Sequence, residues 1–231
     1  MKISGIWKRM VTAFAAGCIL VGMAGCGSGG NGSSGGTEAY KEYVIGIMDA
    51  NYLAKYEKYM EITGSVQAEA EKIYEANILN FSMEIEDALS VKKDVVSRNL
   101  AERFVDMAGS LYSQVKYQAV DVVREGDIYT VSVEIEPIDF FGTVQDPFQS
   151  AVDEFNAQAK SGAFDGYTDA EYEEAYGVAV ANALEANIKN VSYGSKITVD
   201  VVLDYDKENH VYFISDEQME GLDDKVVKMV R

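Results

Sequence analysis

Apolar positions recur at helical spacing over the first long stretch after residue 37. From Thr37 to Thr63 they fall at Tyr40, Val44, Ile47 or Met48, Tyr52, Tyr56 and Tyr59, with no proline, one glycine (Gly46) and Gly64 behind. That spacing predicts one helix ended by the glycine. Ser65 to about Ala88 repeats the pattern with Val66, Ala70, Ile73, Ile78, Phe81 and Ile85 on one face. A third helix is predicted over Val91 to Tyr112, grouping Val96, Leu100, Phe104, Met107 and Leu111. Each stripe has to be covered, so these helices pack on one another or on a sheet.

The period then shortens from that of a helix to that of a strand. Val115–Val123 is β-rich, Arg124-Glu125-Gly126-Asp127 has turn chemistry, and Ile128–Glu136 alternates, with Tyr129, Val131, Val133 and Ile135 on one side. Thr130, Ser132, Glu134 and Glu136 take the other side, which predicts a hairpin with one wet face closed by Pro137. Asp146-Pro147 reads as a helix start, aspartate as N-cap and proline at the first helical position, with Phe148, Val152, Phe155 and Ala159 as the stripe. Thr168-Asp169-Ala170-Glu171 is a capping box opening a helix to about Asn190. The centre of that helix, Ala175–Ala181, is small or apolar nearly all round, which predicts close approach by neighbours. Ile197, Val199, Val201, Leu203 and Tyr205 alternate up to an Asp206–Asn209 turn, Val211–Ser215 returns, and a last helix spans Asp216 to about Met229.

The element order is therefore ααα-ββ-αα-ββ-α, an α+β fold in which two hairpins build an antiparallel sheet with helices on one face. We expect residues 37–231 to form a single such domain. Val120-Asp121-Val122-Val123 recurs as Val199-Asp200-Val201-Val202, a trace consistent with a duplicated helix-plus-hairpin unit. If the hairpins join, their apolar faces meet the helices together, and a ligand cavity is expected there, apolar with a few tyrosine hydroxyls.

The N-terminal pattern differs in kind. Lys2, Lys8 and Arg9 precede a run from Met10 to Gly22 that is apolar or small except for Thr12, the layout of an export signal. The run is shorter than the about 20 residues of a spanning helix, so cleavage is expected. Met23-Ala24-Gly25-Cys26 resembles the lipobox of bacterial lipoproteins, with methionine where leucine is usual. The resemblance implies a signal peptide over residues 1–25 and a diacylglyceryl group on the Cys26 thiol, holding the protein on the extracytoplasmic face of the cell membrane. Cys18, behind Ala15-Ala16-Gly17, is a second candidate but leaves too short an apolar core before it. Residues 26–36 form a glycine-serine tether with an end-to-end reach of about 17 Å.

Charge narrows the partners. Without residues 1–25 the chain keeps 17 Lys+Arg against 38 Asp+Glu, a net of −21 over 206 residues, which repels phosphate backbones and anionic headgroups. Nucleic acid is excluded as a partner. Both cysteines lie in the signal and lipobox, so no disulfide and no cysteine metal site is expected in the folded part.

Enzymatic signatures are sparse. His210 is the one histidine, just past a turn, with no nucleophile motif to serve, and the dense glycine tract lacks the lysine and preceding strand of a phosphate loop. Asp204-Tyr205-Asp206-Lys207-Glu208 alternates carboxylates, but Asn209 and Ser215 stand where a calcium loop needs glycine and glutamate, so a turn is expected. Glu171 with Glu174, and Asp223 with Asp224, are carboxylate pairs on faces expected to be wet. Tyr40, Tyr43, Tyr52, Tyr56 and Tyr59 crowd the first helix, where core packing competes with a binding surface.

The whole layout resembles the lipoproteins abundant in Firmicutes, particularly clostridia, and the element order of the folded part is similar to cystatin-like and nuclear-transport-factor-like domains. Those folds imply no catalytic residue. The expected function is a membrane-anchored binding or interaction module for an envelope protein, peptide or glycan, with no cofactor. The alternatives are a small envelope hydrolase and an extracytoplasmic chaperone.

Overall fold

The computed structural model describes residues 19–20, 34–92, 95–208 and 211–229. In chain order the elements are β1 (Ile19–Leu20), α1 (Ser34–Tyr52), α2 (Glu57–Thr63), α3 (Gln67–Ala88), α4 (Arg98–Tyr112), β2 (Lys116–Glu125), β3 (Ile128–Glu136), β4 (Ile138–Asp139), α5 (Phe140–Lys160), α6 (Asp169–Glu185), β5 (Ser192–Tyr193), β6 (Ile197–Asp206), β7 (Val211–Phe213), α7 (Asp216–Val226) and β8 (Val227–Lys228). The fold is α+β, as the periodicities predict. Two compact units share the chain: one takes in the residues up to Tyr74 with 116–136 and 196–226, the other 75–115, 137–195 and the residues from Val227 on.

The first unit is built on an antiparallel sheet of order β7-β6-β3-β2, with β1 on the outer side of β7. The two hairpins join through β3 and β6, with Val131 opposite Val201 and Val133 opposite Val199. Period-2 alternation sets the burial: Tyr129, Val131, Val133 and Ile135 are buried while Thr130, Ser132, Glu134 and Glu136 are half-buried. α1 covers the apolar face with Tyr43, Val44, Met48 and Tyr52, each at most 1% exposed. At the free edge the ladder slips between Ala119 and Asp121, a bulge that interrupts pairing where a flat edge would invite a foreign strand. The two Val-Asp-Val-Val segments flank β3, with Asp121 and Asp200 on either side of Ser132 and Val122 and Val201 on either side of Val131.

The second unit gathers α4, α5, α6 and the C-terminal part of α3 with a small sheet of order β5-β4-β8. Leu100, Phe104, Met107, Ala108, Leu111 and Tyr112 form the buried stripe of α4. α6 approaches it closely: a Cβ on Gly177 would stand 2.6 Å from Leu100 Cδ2, so glycine is what permits the contact. The predicted capping box is present, Thr168 accepting from Glu171 N and the Glu171 carboxylate accepting from Thr168 N.

Five boundaries depart from the sequence expectation, one of them the end of α6 at Glu185 instead of about Asn190. The first predicted helix is two: Leu53 N and Lys55 N both donate to Asp49 O, Ala54 sits at φ +52°, and this left-handed cap closes α1 before α2 starts. α4 starts at Arg98 instead of Val91, because Ser97 caps it by accepting from Leu100 N and is itself held by Glu174. α5 starts at Phe140 instead of Asp146. Asp139 caps it by accepting from Gly142 N at 2.9 Å, where a Cβ on residue 142 would collide with the carboxylate, and Pro147 lies inside the helix. The final helix ends at Val226, and Val227–Lys228 pairs parallel with β4.

Candidate functional site

Of the residues singled out from sequence, Met23–Cys26, Cys18 and His210 lie outside the described residues. Four of the carboxylates singled out are engaged. Glu171 completes the capping box, and its carboxyl is held below the usual range by the Thr168 backbone N–H and hydroxyl. Glu174 accepts from both Ser97 N (2.6 Å) and Ser97 Oγ (2.5 Å). Asp223 accepts from the Tyr52 hydroxyl at 2.7 Å. Asp206 accepts from Glu208 N at 2.8 Å, the local bond of a turn, and among the described residues no group of three or more His, Cys, Asp or Glu is placed to hold a metal.

Chemistry concentrates in the first unit at three places. The first is a tyrosine cluster. Tyr40 of α1 stacks on Tyr129 of β3 with ring centroids 3.7 Å apart and meets Tyr212 of β7 edge-on at 5.4 Å, while Tyr205 of β6 lies 4.9 Å from Tyr212. Arg124 stands over the Tyr129 ring at 5.2 Å, and the Tyr43 hydroxyl donates to Tyr212 O at 3.2 Å. Burial, then the neighbouring Tyr129, pushes the Tyr40 phenol well above its ordinary range; burial likewise raises Tyr212. The rings pack on one another, and of the first-helix tyrosines Tyr43, Tyr52 and Tyr59 are core residues.

The second is a pair of phenol–carboxylate bonds. Tyr117 of β2 donates to Asp49 Oδ1 at 2.7 Å beside the Tyr52–Asp223 bond, with the two rings 6.2 Å apart. Burial and the adjacent Asp49 carboxylate push the Tyr117 phenol far above its ordinary range. Sequence reasoning missed this bond, since Asp49 and Tyr117 are 68 positions apart and neither belongs to a motif.

The third is a depression with roughly 370 Å³ of empty space, part of it open solvent, lined by Lys116, Tyr117, Gln118, Glu134, Glu136 and Lys196. Gln118 Nε2 donates to Glu134 Oε2 at 2.7 Å, Lys196 Nζ lies 3.1 Å from the same oxygen, and Lys116 Nζ is 3.9 Å from Glu136. The Gln118 amide first, and Lys196 second, hold the Glu134 carboxyl below the usual range, which makes it a weaker base. This depression is polar, unlike the apolar cavity expected between sheet and helices. Val131, Val133, Ile135, Val201 and Leu203, which were to line that cavity, are at most 1% exposed and sit in the core.

No family model matches the sequence, and the search of curated proteins finds no significant match. Among solved structures the fold is similar to that of a protein from Bacillus subtilis subsp. subtilis str. 168, described as a "putative lipoprotein (ycdA)", with a TM-score of 0.56 and 14% identity. The likeness covers 83% of this chain and 56% of that one, so the chain spans just over half the length of its structural neighbour. No helix among the described residues is long and apolar enough to cross a membrane.

Proposed function

We propose that the protein is an extracytoplasmic lipoprotein, cut before Cys26 and anchored by a diacylglyceryl group on that thiol, whose folded part is a binding or interaction module. The observation that carries the anchor is Met23-Ala24-Gly25-Cys26 behind a cationic start and an apolar run, followed by a glycine-serine stretch. A fold shared with a protein described as a lipoprotein supports it. Two acyl chains give stable membrane attachment where one is marginal.

The interaction role is favoured over glycoside hydrolysis by the state of the acids. Glycoside hydrolysis by a carboxylate pair needs one carboxylic acid raised toward neutral pH and a second carboxylate across a cleft. Glu134, Glu171 and Glu185 are instead shifted downward by donors, and Glu174 and Asp223 are bound by hydroxyl or backbone donors. The test is metabolic labelling with a radioactive fatty acid and fractionation of cells. Wild type should carry label and sediment with membranes, and Cys26→Ala should lose the label and either accumulate as precursor or leave the membrane. Label persisting in Cys26→Ala refutes the assignment of the thiol.

A further inference from the structure

The polar depression on the solvent face of the first unit's sheet is framed by strand register. β3 lies between β2 and β6, with Lys116 opposite Glu136 on one side. On the other side Ile197 is opposite Ile135, so Lys196, one residue earlier, stands beside Glu136. The next row toward the β2–β3 turn is Gln118, Glu134 and Thr198. Alternation along β3 puts Glu134 and Glu136 on this face, while Val133 and Ile135 point into the core. The two acid–lysine pairs differ in closeness. Glu134 is held at 2.7 Å by the Gln118 amide and at 3.1 Å by Lys196 Nζ, and its side chain is 29% exposed. Lys116 Nζ and Glu136 Oε2 stand 3.9 Å apart, beyond direct hydrogen-bond range, with side chains 54% and 41% exposed. One pair is closed and the other is open.

We infer that this depression binds a small zwitterion of the amino-acid or dipeptide kind, whose ammonium group meets the Glu136 carboxylate and whose carboxylate meets the Lys116 ammonium. This rests on the reading of the folded part as a binding module and names its ligand class. Charge selects first. Lys116 and Lys196 balance Glu134 and Glu136, so the lining is neutral within a strongly acidic chain. An anion on Lys116 also faces the two glutamates, and a cation on Glu136 also faces the two lysines, so a ligand of one sign meets repulsion beside its attraction. A ligand with both charges leaves none unmatched, because it exchanges one distant ion pair for two in contact. Parting the exposed pair costs little, since such pairs contribute little in water. The closed pair supplies the wall: the Gln118 amide first, and Lys196 second, hold the Glu134 carboxyl below the usual range, so it stays ionised and keeps Lys196 in place. Size selects second. The space of roughly 370 Å³, part of it open solvent, lies near the lower end of the about 300–1,000 Å³ typical of ligand sites, which suits a molecule of few atoms.

The probes are free glycine and glycylglycine, titrated at low ionic strength against the full chain in detergent with isotopically labelled lysine, and the amide signals of Lys116 and Lys196 are followed by NMR. Both signals should shift and saturate, while that of Lys72 on α3 stays in place. The tighter of the two probes tells a free amino acid from a peptide as the source of the zwitterion. N-acetylglycine keeps only the carboxylate and glycinamide only the ammonium, so each should bind at least about tenfold more weakly than glycine. Glu136→Gln should weaken glycine by the same factor, whereas Glu57→Gln, an identical change at an exposed position of α2, should leave it unchanged. The analogues alter only the ligand, so they decide the matter whatever the variant does to the fold. Shifts that never saturate or that equal those of Lys72, an analogue of single charge binding as tightly as glycine, or unaltered affinity in Glu136→Gln overturns the inference. The labelling at Cys26 is scored separately: a labelled protein that ignores both probes defeats this inference alone, whereas an unlabelled one that binds them keeps the site and loses the anchor.

Discussion

Gln218 illustrates how much a single side chain decides. β7 is only three residues long, so most of β6 has no strand neighbour on that side, and the Gln218 amide takes the place of one. Its Oε1 accepts from Val202 N at 2.6 Å and its Nε2 donates to Val202 O at 2.8 Å, the two-bond pattern of a ladder pair made by a helix side chain. Gln218→Ala should cost about 1–2 kcal/mol, since it strands both main-chain groups of Val202. Gln149→Ala, which loses only an exposed bond to Asp153 at 3.0 Å, should cost less than about 0.5 kcal/mol, and urea denaturation of the two variants makes the comparison. Tyr117→Phe removes a phenol that donates to a carboxylate, so a loss of about 1.5–3 kcal/mol is expected by the same measurement. Neither bond was legible in the sequence. Gln218 lies on a polar stretch of the last helix, and what makes it matter is the short partner strand beside β6, which no local pattern encodes.

Helix boundaries depend on which capping group wins, and local rules rank the candidates imperfectly. Thr168 with Glu171 was readable because both halves of the box are three residues apart and satisfy each other, so Thr168→Ala should cost about 0.5–2 kcal/mol in thermal unfolding. Ser97 was not readable as a start, because its backbone N–H and hydroxyl are engaged by Glu174, 77 positions away. Asp146-Pro147 had every mark of a helix start, yet Asp139 caps first and the helix runs through the proline. A proline inside a helix removes one main-chain bond and crowds the preceding turn, at a cost of about 3 kcal/mol or more in an unconstrained helix. Pro147→Ala should therefore raise the midpoint of thermal denaturation. A helix that truly began at Asp146 would instead be weakened by the same change, as the proline would be lost from its favoured first position.

At the scale of the whole molecule the ionisable groups predict a stability plateau bounded on both sides. Donors hold Glu134, Glu171 and Glu185 below their ordinary value of 4.5 in the folded state, so their contribution is present above that value and is lost as pH falls through the lowered one. Tyr40, Tyr74, Tyr117, Tyr176 and Tyr212 are raised above their ordinary value of 10.0, chiefly by burial. The unfolded chain then gives up phenol protons first, so stability is intact below pH 10.0 and declines as pH rises beyond it. Urea midpoints measured across the pH range should stay level between these limits and drop outside them. The tyrosinate absorbance of these five phenols should rise together with loss of the far-UV helical signal, whereas their titration in a folded protein would separate the two.

The chain by itself determined the α+β class, the alternation that aims Tyr129, Val131, Val133 and Ile135 into the core, and the two hairpins with one apolar face each. These are local or periodic properties, carried by residues within a few positions of one another, where backbone geometry leaves few choices. The tertiary structure alone decided that Asp49 meets Tyr117, that Gln218 completes β6, that Glu174 holds Ser97, and that Val227–Lys228 joins a small sheet with β4. Each of these pairs groups distant in sequence, and which polar group finds which partner depends on the packing that brings them together, because burial makes an unmet donor or acceptor costly wherever the fold happens to place it.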